Sequence, residues 1–172
     1  MRIGSTLLAL AIGLGAGASH AQPAADPLIG EIEGVYKHRF QNGLVTGEKY
    51  RSEDVVEIVR YDPTRIYVRA ELQFFNGHEC SISGIAAYVD GKFVYDEPST
   101  EPAAQACHFE VGADGQAIRF ADANGACRAT HCGARGGLDG YAIARDSKRP
   151  IRYMDRLKRS TEYKQAVSEL KK

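Results

Sequence analysis

Four cysteines carry the clearest chemistry of this 172-residue chain, namely Cys80, Cys107, Cys127 and Cys132. In an oxidising compartment an even number of cysteines predicts disulfides, and four cysteines allow three pairings. We favour Cys80–Cys107, which would link two strands, with Cys127–Cys132, which would close and stiffen a short loop. Because histidines lie next to some of these cysteines, a zinc or copper site is the alternative. The cysteines and histidines do not, however, have the Cys-x-x-Cys or His-x-x-x-His spacing of common sites. Because bridged sulfurs are poor ligands, we expect neither a metal nor a cofactor.

The motifs of common enzymes are missing from the sequence. It has no Gly-x-Ser-x-Gly, no phosphate-binding loop and no His-Glu-x-x-His. A cysteine–histidine nucleophile pair needs a free thiolate, which four paired cysteines would not leave. Adjacent carboxylates occur at Glu53-Asp54 and Asp96-Glu97, but turns are predicted there and the groups are expected to be solvated. We therefore predict that the protein is not an enzyme and has no catalytic residues.

The segment 127–137, CRATHCGARGG, is the strongest candidate for a binding site. If it is exposed, it presents Arg128, Thr130, His131 and Arg135 to a partner. Arginine is a frequent interface anchor and binds carboxylates through two parallel hydrogen bonds. The competing interpretation is that Arg128 or Arg135 forms an internal salt bridge that ties the segment to the rest of the protein. The sequence leaves both interpretations open.

A mainly β scaffold must position these groups. Apolar Ile66, Val68, Ala70, Leu72 and Phe74 alternate with other residues, which predicts a strand with one buried face. Asn-Gly and Asp-Gly pairs later in the chain are typical of tight turns between antiparallel strands. About eight strands are predicted, at 34–40, 55–60, 66–75, 80–89, 92–95, 106–111, 116–120 and 138–144. Their short connections indicate an antiparallel meander, closed as a barrel or stacked as a sandwich.

The amino-terminal segment is predicted to be an export signal. Residues 1–21 combine a basic start, a short apolar stretch and a final Ser19-His20-Ala21, which is typical of a cleaved signal peptide. An uncleaved membrane anchor is the alternative. Residues 22–29 contain proline and are expected to form a flexible leader. These features predict an exported protein without a membrane span after cleavage, and the short basic start favours the bacterial periplasm.

In the carboxy-terminal segment the spacing of the apolar residues changes. Residues 30–145 form the predicted β domain, whereas in 146–172 the apolar residues recur every three or four positions. That spacing predicts a helical extension with one apolar face. We expect the extension to cover one end of the barrel, with docking of a partner as the alternative.

Charge is divided unevenly along the chain. The 22 basic and 22 acidic side chains cancel, and a net charge of zero gives no reason to expect a nucleic-acid partner. Residues 145–172, however, contain 10 basic and 4 acidic side chains, while residues 22–144 contain 11 basic and 18 acidic ones. Either the basic tail packs on the acidic body, or the acidic body attracts a cationic partner.

The signal peptide, the Gly34-Val35-Tyr36 start of the first strand, the meander and the late cysteines together resemble small calycin-like exported β-barrels. Within that group the layout resembles periplasmic lysozyme inhibitors and related toxin immunity proteins. The resemblance implies a non-enzymatic binding protein that inhibits a cell-wall hydrolase, a lysozyme or a delivered toxin. It covers architecture over about residues 30–145 and assigns no individual binding residue.

A lipocalin-like carrier of a small apolar ligand is the alternative function. In a carrier the inward-facing residues of the 66–75 strand would line a cavity. The same residues would fill the core of an inhibitor. An open apolar cavity therefore favours the carrier, and a packed interior with a protruding 127–137 loop favours the inhibitor.

Overall fold

The computed structural model describes residues 25–97 and 105–171, which form a mainly β protein with a helical carboxy-terminal region. Eight antiparallel strands make one sheet, in which each strand pairs with its neighbours in chain order. The strands are β1 (Gly34–Gly43), β2 (Lys49–Asp62), β3 (Arg65–Gln73), β4 (Glu79–Val89), β5 (Lys92–Glu97), β6 (Cys107–Ala113), β7 (Ala117–Ala121) and β8 (Ala142–Ala144). The predicted signal peptide, residues 1–21, lies outside the described residues.

The sheet curls into a nearly closed barrel, so the predicted meander is confirmed and the sandwich is excluded. Its first strand meets the segment that follows β8, where the backbones of Val35 and Arg149 exchange two hydrogen bonds of 2.9 and 2.8 Å. The alternation predicted for the third strand is confirmed, since Ile66, Val68 and Leu72 are fully buried. Buried aromatic rings also fill the interior, contributed by Tyr36, Phe93, Phe109 and Phe120.

Within the described residues four α-helices accompany the barrel, namely α1 (Ala25–Ile32), α2 (Ala126–His131), α3 (Met154–Arg159) and α4 (Thr161–Glu169). None of the helices in the described ranges is long and apolar enough to span a membrane.

The prediction of a flexible leader at 22–29 is wrong from Ala25 onward, because α1 begins there. Asp26 favours the first turn of a helix, and a proline is tolerated at such a position. Ile29 and Ile32 are fully buried and join the core of the barrel. Helix α1 therefore closes the end of the barrel at which β1 begins.

The carboxy-terminal helices cover the side of the barrel, so the prediction that they cover its end is wrong. Leu157 of α3 and Ala166 of α4 pack on Val59, Tyr67 and Ile85, which point outward from β2, β3 and β4. These three strand residues lie on the outer face of the sheet, where a simple alternation of apolar and polar residues predicts contact with solvent. They are apolar because the helices cover this part of the outer face.

A buried carboxylate connects the α3 region to the same face. Glu57 is only 2 % exposed, accepts a hydrogen bond from the hydroxyl of Tyr153, and pairs with Arg69 at 3.1 Å. Elsewhere Arg145 reaches Glu31 at 3.3 Å. The basic tail therefore packs on the acidic body, as the intramolecular interpretation of the uneven charge predicts.

Two buried tyrosines should make the fold sensitive to alkali. Burial raises the pKa of Tyr36 and of Tyr67 from an ordinary 10.0 to about 12. Because the folded-state pKa lies above the unfolded-state value, their contribution to stability is complete below pH 10 and is lost as the pH rises toward 12. We expect the urea-measured free energy of unfolding to fall across this range, and Tyr36→Phe to reduce the slope. An unchanged slope in the variant would exclude Tyr36 as a source of the decline.

Candidate functional site at the hairpin end

The two disulfides join Cys80 to Cys132 and Cys107 to Cys127. All four cysteines are bridged, as predicted, but the favoured pairing of Cys80–Cys107 with Cys127–Cys132 is wrong. Cys127 lies in the first turn of α2 and Cys132 follows the last residue of that helix, and five positions along a helix correspond to a rotation of about 140°. Cys127 therefore turns toward β6, while Cys132 turns toward β4.

The segment predicted as a loop, 127–137, begins as helix α2. The buried carboxylate of Asp122 accepts hydrogen bonds from the backbone N–H of Cys127 at 3.1 Å and of Arg128 at 2.7 Å, which satisfies the first turn. Arg128 then donates to the carbonyl oxygens of Gly136 at 2.8 Å and Ala134 at 2.9 Å. Arg128 therefore holds the segment in place by hydrogen bonds to carbonyl groups, and not by the salt bridge that one interpretation of the sequence expects.

Two further candidate residues of this segment also make internal contacts. The hydroxyl of Thr130 donates to the carbonyl oxygen of Ala126, one turn earlier in α2, at 3.2 Å. His131 is 18 % exposed and pairs with Glu97 at 2.5 Å. Thr130 thus stabilises α2 itself, whereas His131 fixes α2 against β5.

Arg135 differs from these residues, because its contact within the described residues is with an aromatic ring and not with a hydrogen-bond acceptor. It is exposed, and its guanidinium lies over the ring of Phe75, 5.3 Å from the ring centre. Such cation–π contacts hold a long side chain in place without neutralising its charge. Phe75 is itself 42 % exposed, and the neighbouring turn adds Val45, which is 66 % exposed. Sequence reasoning missed Phe75 and Val45.

We use the term hairpin end for the tip formed by the β1–β2 turn (44–48), the β3–β4 turn (74–78) and the loop 133–137. Specific hydrogen bonds hold the two turns together. The amide oxygen of Asn76 accepts from the backbone of Val45 at 3.3 Å, and the hydroxyl of Tyr50 accepts from Gly77 at 3.1 Å. Asn76 has a φ of 63°, in the left-handed region that asparagine tolerates. The tip is thus ordered before any partner binds.

The loop 133–137 lies so close to β4 that two of its residues must be small. A Cβ atom on Gly133 would come within 2.8 Å of the His78 ring, and one on Gly136 within 2.6 Å of the Cys80 sulfur. The backbone N–H of Gly133 also donates to the carbonyl oxygen of Glu79 at 2.8 Å. Glycines in this segment therefore allow close packing that fixes Arg135 beside Phe75.

A buried carboxylate supports the same end from inside the barrel. Asp54 accepts hydrogen bonds from the Tyr141 hydroxyl at 2.9 Å and from the backbone of Gln73 at 2.7 Å, and lies 3.4 Å from the ring of His38. Burial, and then the charge of Asp54, raise the pKa of Tyr141, so its hydroxyl stays a donor at neutral pH. The cluster links β1, β2 and β3 to the segment before β8.

Asp54 also corrects an expectation about carboxylates. The pairs Glu53-Asp54 and Asp96-Glu97 lie in β2 and β5, not in solvated turns. Of the four side chains, Asp54 is buried on the barrel side, and Glu97 is partly covered by its contact with His131. Sequence reasoning missed Asp54 because the alternation of the apolar residues in this strand begins only after it.

Comparisons with known proteins do not extend this description. A scan of protein-family models, a search of curated proteins and a search of solved structures each returned no match. The resemblance to calycin-like inhibitors stays a prediction based on layout.

Proposed function

We propose that this chain is an exported, non-enzymatic binding protein whose hairpin end docks on a protein partner and blocks it. The partner we propose is a cell-wall hydrolase, a lysozyme or a delivered toxin, met in the bacterial periplasm after signal cleavage. Two disulfides are typical of chains that mature in an oxidising compartment. The observation that carries the proposal is the exposed guanidinium of Arg135, held over Phe75 beside Val45.

The composition and rigidity of this tip favour a protein partner. Arginine and aromatic residues are enriched among the few side chains that dominate binding energy at interfaces. Here they come from separate segments that a disulfide and a set of hydrogen bonds hold together. Because the tip is already ordered, little conformational entropy is lost when it binds.

The chemistry of Arg135 favours a hydrolase cleft. Most glycoside hydrolases act through two carboxyl groups that flank the scissile bond. A planar guanidinium can engage such a carboxylate through two parallel hydrogen bonds. Within the described residues, Arg135 rests on an aromatic ring and has no carboxylate within 4 Å, so its five donors remain available.

A cationic enzyme with an acidic cleft would also fit the charge of the body. The basic tail packs on that body, however, and its Arg145 pairs with Glu31. We therefore expect long-range attraction to contribute less than the uneven charge suggests, and binding to depend only moderately on salt.

The carrier of a small apolar ligand has less support. Its cavity would need the space inside the barrel, which rings such as Phe93 and Phe109 occupy. The same buried cluster contains the inward-facing residues of β3, namely Ile66, Val68, Ala70 and Leu72.

Arg135→Ala is expected to weaken partner binding by about 30-fold, the effect of a strong interface anchor. The test uses the mature protein against a panel of purified peptidoglycan hydrolases, with affinity and inhibition of cell-wall digestion as readouts. The matched control is Arg119→Ala, an exposed arginine that pairs with Asp114 at the opposite end of the barrel. Urea unfolding should be unchanged in both variants, because both side chains are exposed.

Three results would overturn the proposal. The first is that no member of the panel binds, while the purified protein carries a lipid. The second is that Arg135→Ala binds as tightly as the wild type. The third is that Arg119→Ala loses as much affinity as Arg135→Ala, since that would indicate non-specific charge attraction.

A further inference from the structure

Three side chains with metal-binding atoms meet between α2 and the strands β5 and β6. The ligand atoms of Glu97, Cys107 and His131 all lie within 4.8 Å of one another. Cys127 adjoins this group through its bond to Cys107.

The fold positions these groups in two matched pairs. Glu97 and Cys107 are direct neighbours across the antiparallel pair of β5 and β6. Cys127 and His131 are four positions apart in α2, which places them on the same face of the helix. One pair therefore faces the other across the contact between helix and sheet.

We propose that opening the Cys107–Cys127 disulfide creates a four-coordinate Zn²⁺ site from Glu97, Cys107, Cys127 and His131. Zinc prefers tetrahedral sets of thiolate, imidazole and carboxylate ligands. With metal–ligand bonds of about 2.0–2.3 Å, tetrahedral donor atoms lie about 3–4 Å apart. Three of the four donors already lie within 4.8 Å of one another, and the sulfur of Cys127 is bonded to one of them, so small side-chain movements would reach that geometry once the disulfide opens.

The redox step balances with a dithiol as the reductant. The dithiol gives two electrons and two protons to the Cys107–Cys127 bond and becomes a disulfide itself. The two cysteine thiols then release their protons when Zn²⁺ binds the thiolates. Neutral His131 and ionised Glu97 complete the set, and the zinc takes over the disulfide's connection between α2 and β6.

The proposed site forms only in the reduced protein, whereas the sequence argues against a metal site in the oxidised protein. In the oxidised protein all four cysteines are bridged, and no thiolate is offered among the described residues. The histidine that matters, His131, is next to Cys132 in sequence, yet its ring faces Glu97 and the other disulfide. This proposal is independent of the proposed function.

The first test reduces the wild-type chain with a phosphine under nitrogen and titrates it with Co²⁺ as a probe for Zn²⁺. We expect one equivalent to bind with thiolate-to-cobalt charge-transfer and tetrahedral ligand-field bands, and the oxidised chain to show neither. Because Cys107 and Cys127 are buried, the readout is the change that zinc causes: zinc should slow their alkylation relative to the reduced, zinc-free chain and leave the rate at Cys132 unchanged, as read by mass spectrometry. An equal effect of zinc on Cys132, or no cobalt bands, would refute the site.

A second test keeps the other disulfide intact. Cys127→Ser frees the Cys107 thiol while Cys80–Cys132 stays bridged, and leaves three of the four ligands. We expect this variant to bind Co²⁺ without a reductant, and adding His131→Ala or Glu97→Gln to weaken binding by at least about tenfold. The matched control is His108→Ala, since His108 follows Cys107 but points to Asp96 at 2.6 Å. Loss of binding in that control, or no loss with His131→Ala, would contradict the assignment.

Discussion

Replacing Cys80 and Cys132 together by alanine is expected to lower the free energy of unfolding by about 4 kcal/mol. Their bridge closes a chain segment with a sequence separation of 52, so its loss gives the unfolded chain much additional freedom. A reduction of this size is a large fraction of the stability of an ordinary domain. Urea unfolding of wild type and variant, followed by circular dichroism, measures the difference.

The matched control replaces Cys107 and Cys127 by alanine. Their separation is 20, for which the same loop-entropy model gives a loss of about 3 kcal/mol. Because the smaller loop lies inside the larger one, each bridge shortens the effective loop that the other closes. Removing both bridges should therefore lower the free energy of unfolding by slightly more than the sum of the two separate losses. A loss under about 1 kcal/mol for Cys80 and Cys132 would mean that the unfolded chain is already restricted there.

The same bridge links stability to binding. Cys132 immediately precedes Gly133, whose N–H bonds to Glu79, and the loop continues to Arg135. Without the bridge, Arg135 would leave its position over Phe75 for part of the time. We therefore expect the alanine pair at 80 and 132 to weaken partner binding, while the pair at 107 and 127 leaves the 74–78 turn in place.

Local patterns predicted most of the barrel. The alternation from Ile66 to Leu72 defines β3, and Asn76 and Asp90 take the left-handed backbone conformations expected of tight turns. Both signals act between residues that are close in sequence. Antiparallel strands joined in order need no information about distant contacts.

Contacts between distant residues account for the errors. The disulfide pairing depends on which face of α2 each cysteine occupies, and Asp122, which stabilises the start of that helix, lies outside the segment CRATHC. The position of α3 and α4 depends on outward-facing Val59, Tyr67 and Ile85, which look like ordinary β residues in the sequence. Helix α1 was predictable, because an Asp-Pro pair before Leu28 and Ile29 is a recognisable helix start.

The sequence does not show which of the four predicted binding residues are held by internal contacts. Arg135 lies over Phe75, while Arg128, Thr130 and His131 make hydrogen bonds or ion pairs within the chain, and Arg128 and Thr130 stay exposed. A readable signal did exist for Phe75. Two adjacent aromatics, Phe74 and Phe75, end an alternating strand, so one of them must face away from the core.

The second large effect is expected at Glu57, where Glu57→Ala should lower the free energy of unfolding by about 3 kcal/mol. The carboxylate is almost fully buried under the α3 region, where Arg69 and the hydroxyl of Tyr153 both use it. Removing it leaves a guanidinium and a hydroxyl, both partly buried, without this partner. Arg69 retains Glu71, which is more exposed, and for this reason we place the loss at the lower end of the range for broken buried pairs.

Glu53→Ala on the same strand is the matched control for this loss. Its carboxylate binds Lys37 and Arg39, which are well exposed, and should contribute at most about 1 kcal/mol. Tyr153→Phe should cost about 1 kcal/mol, since it removes one hydrogen bond and leaves the Glu57–Arg69 pair. Hydrogen exchange should show that Glu57→Ala loosens α3 and α4 more than the strands inside the barrel. If the amides of β6 and β7 lose as much protection as those helices, Glu57 supports the whole barrel and not the attachment of the carboxy-terminal region.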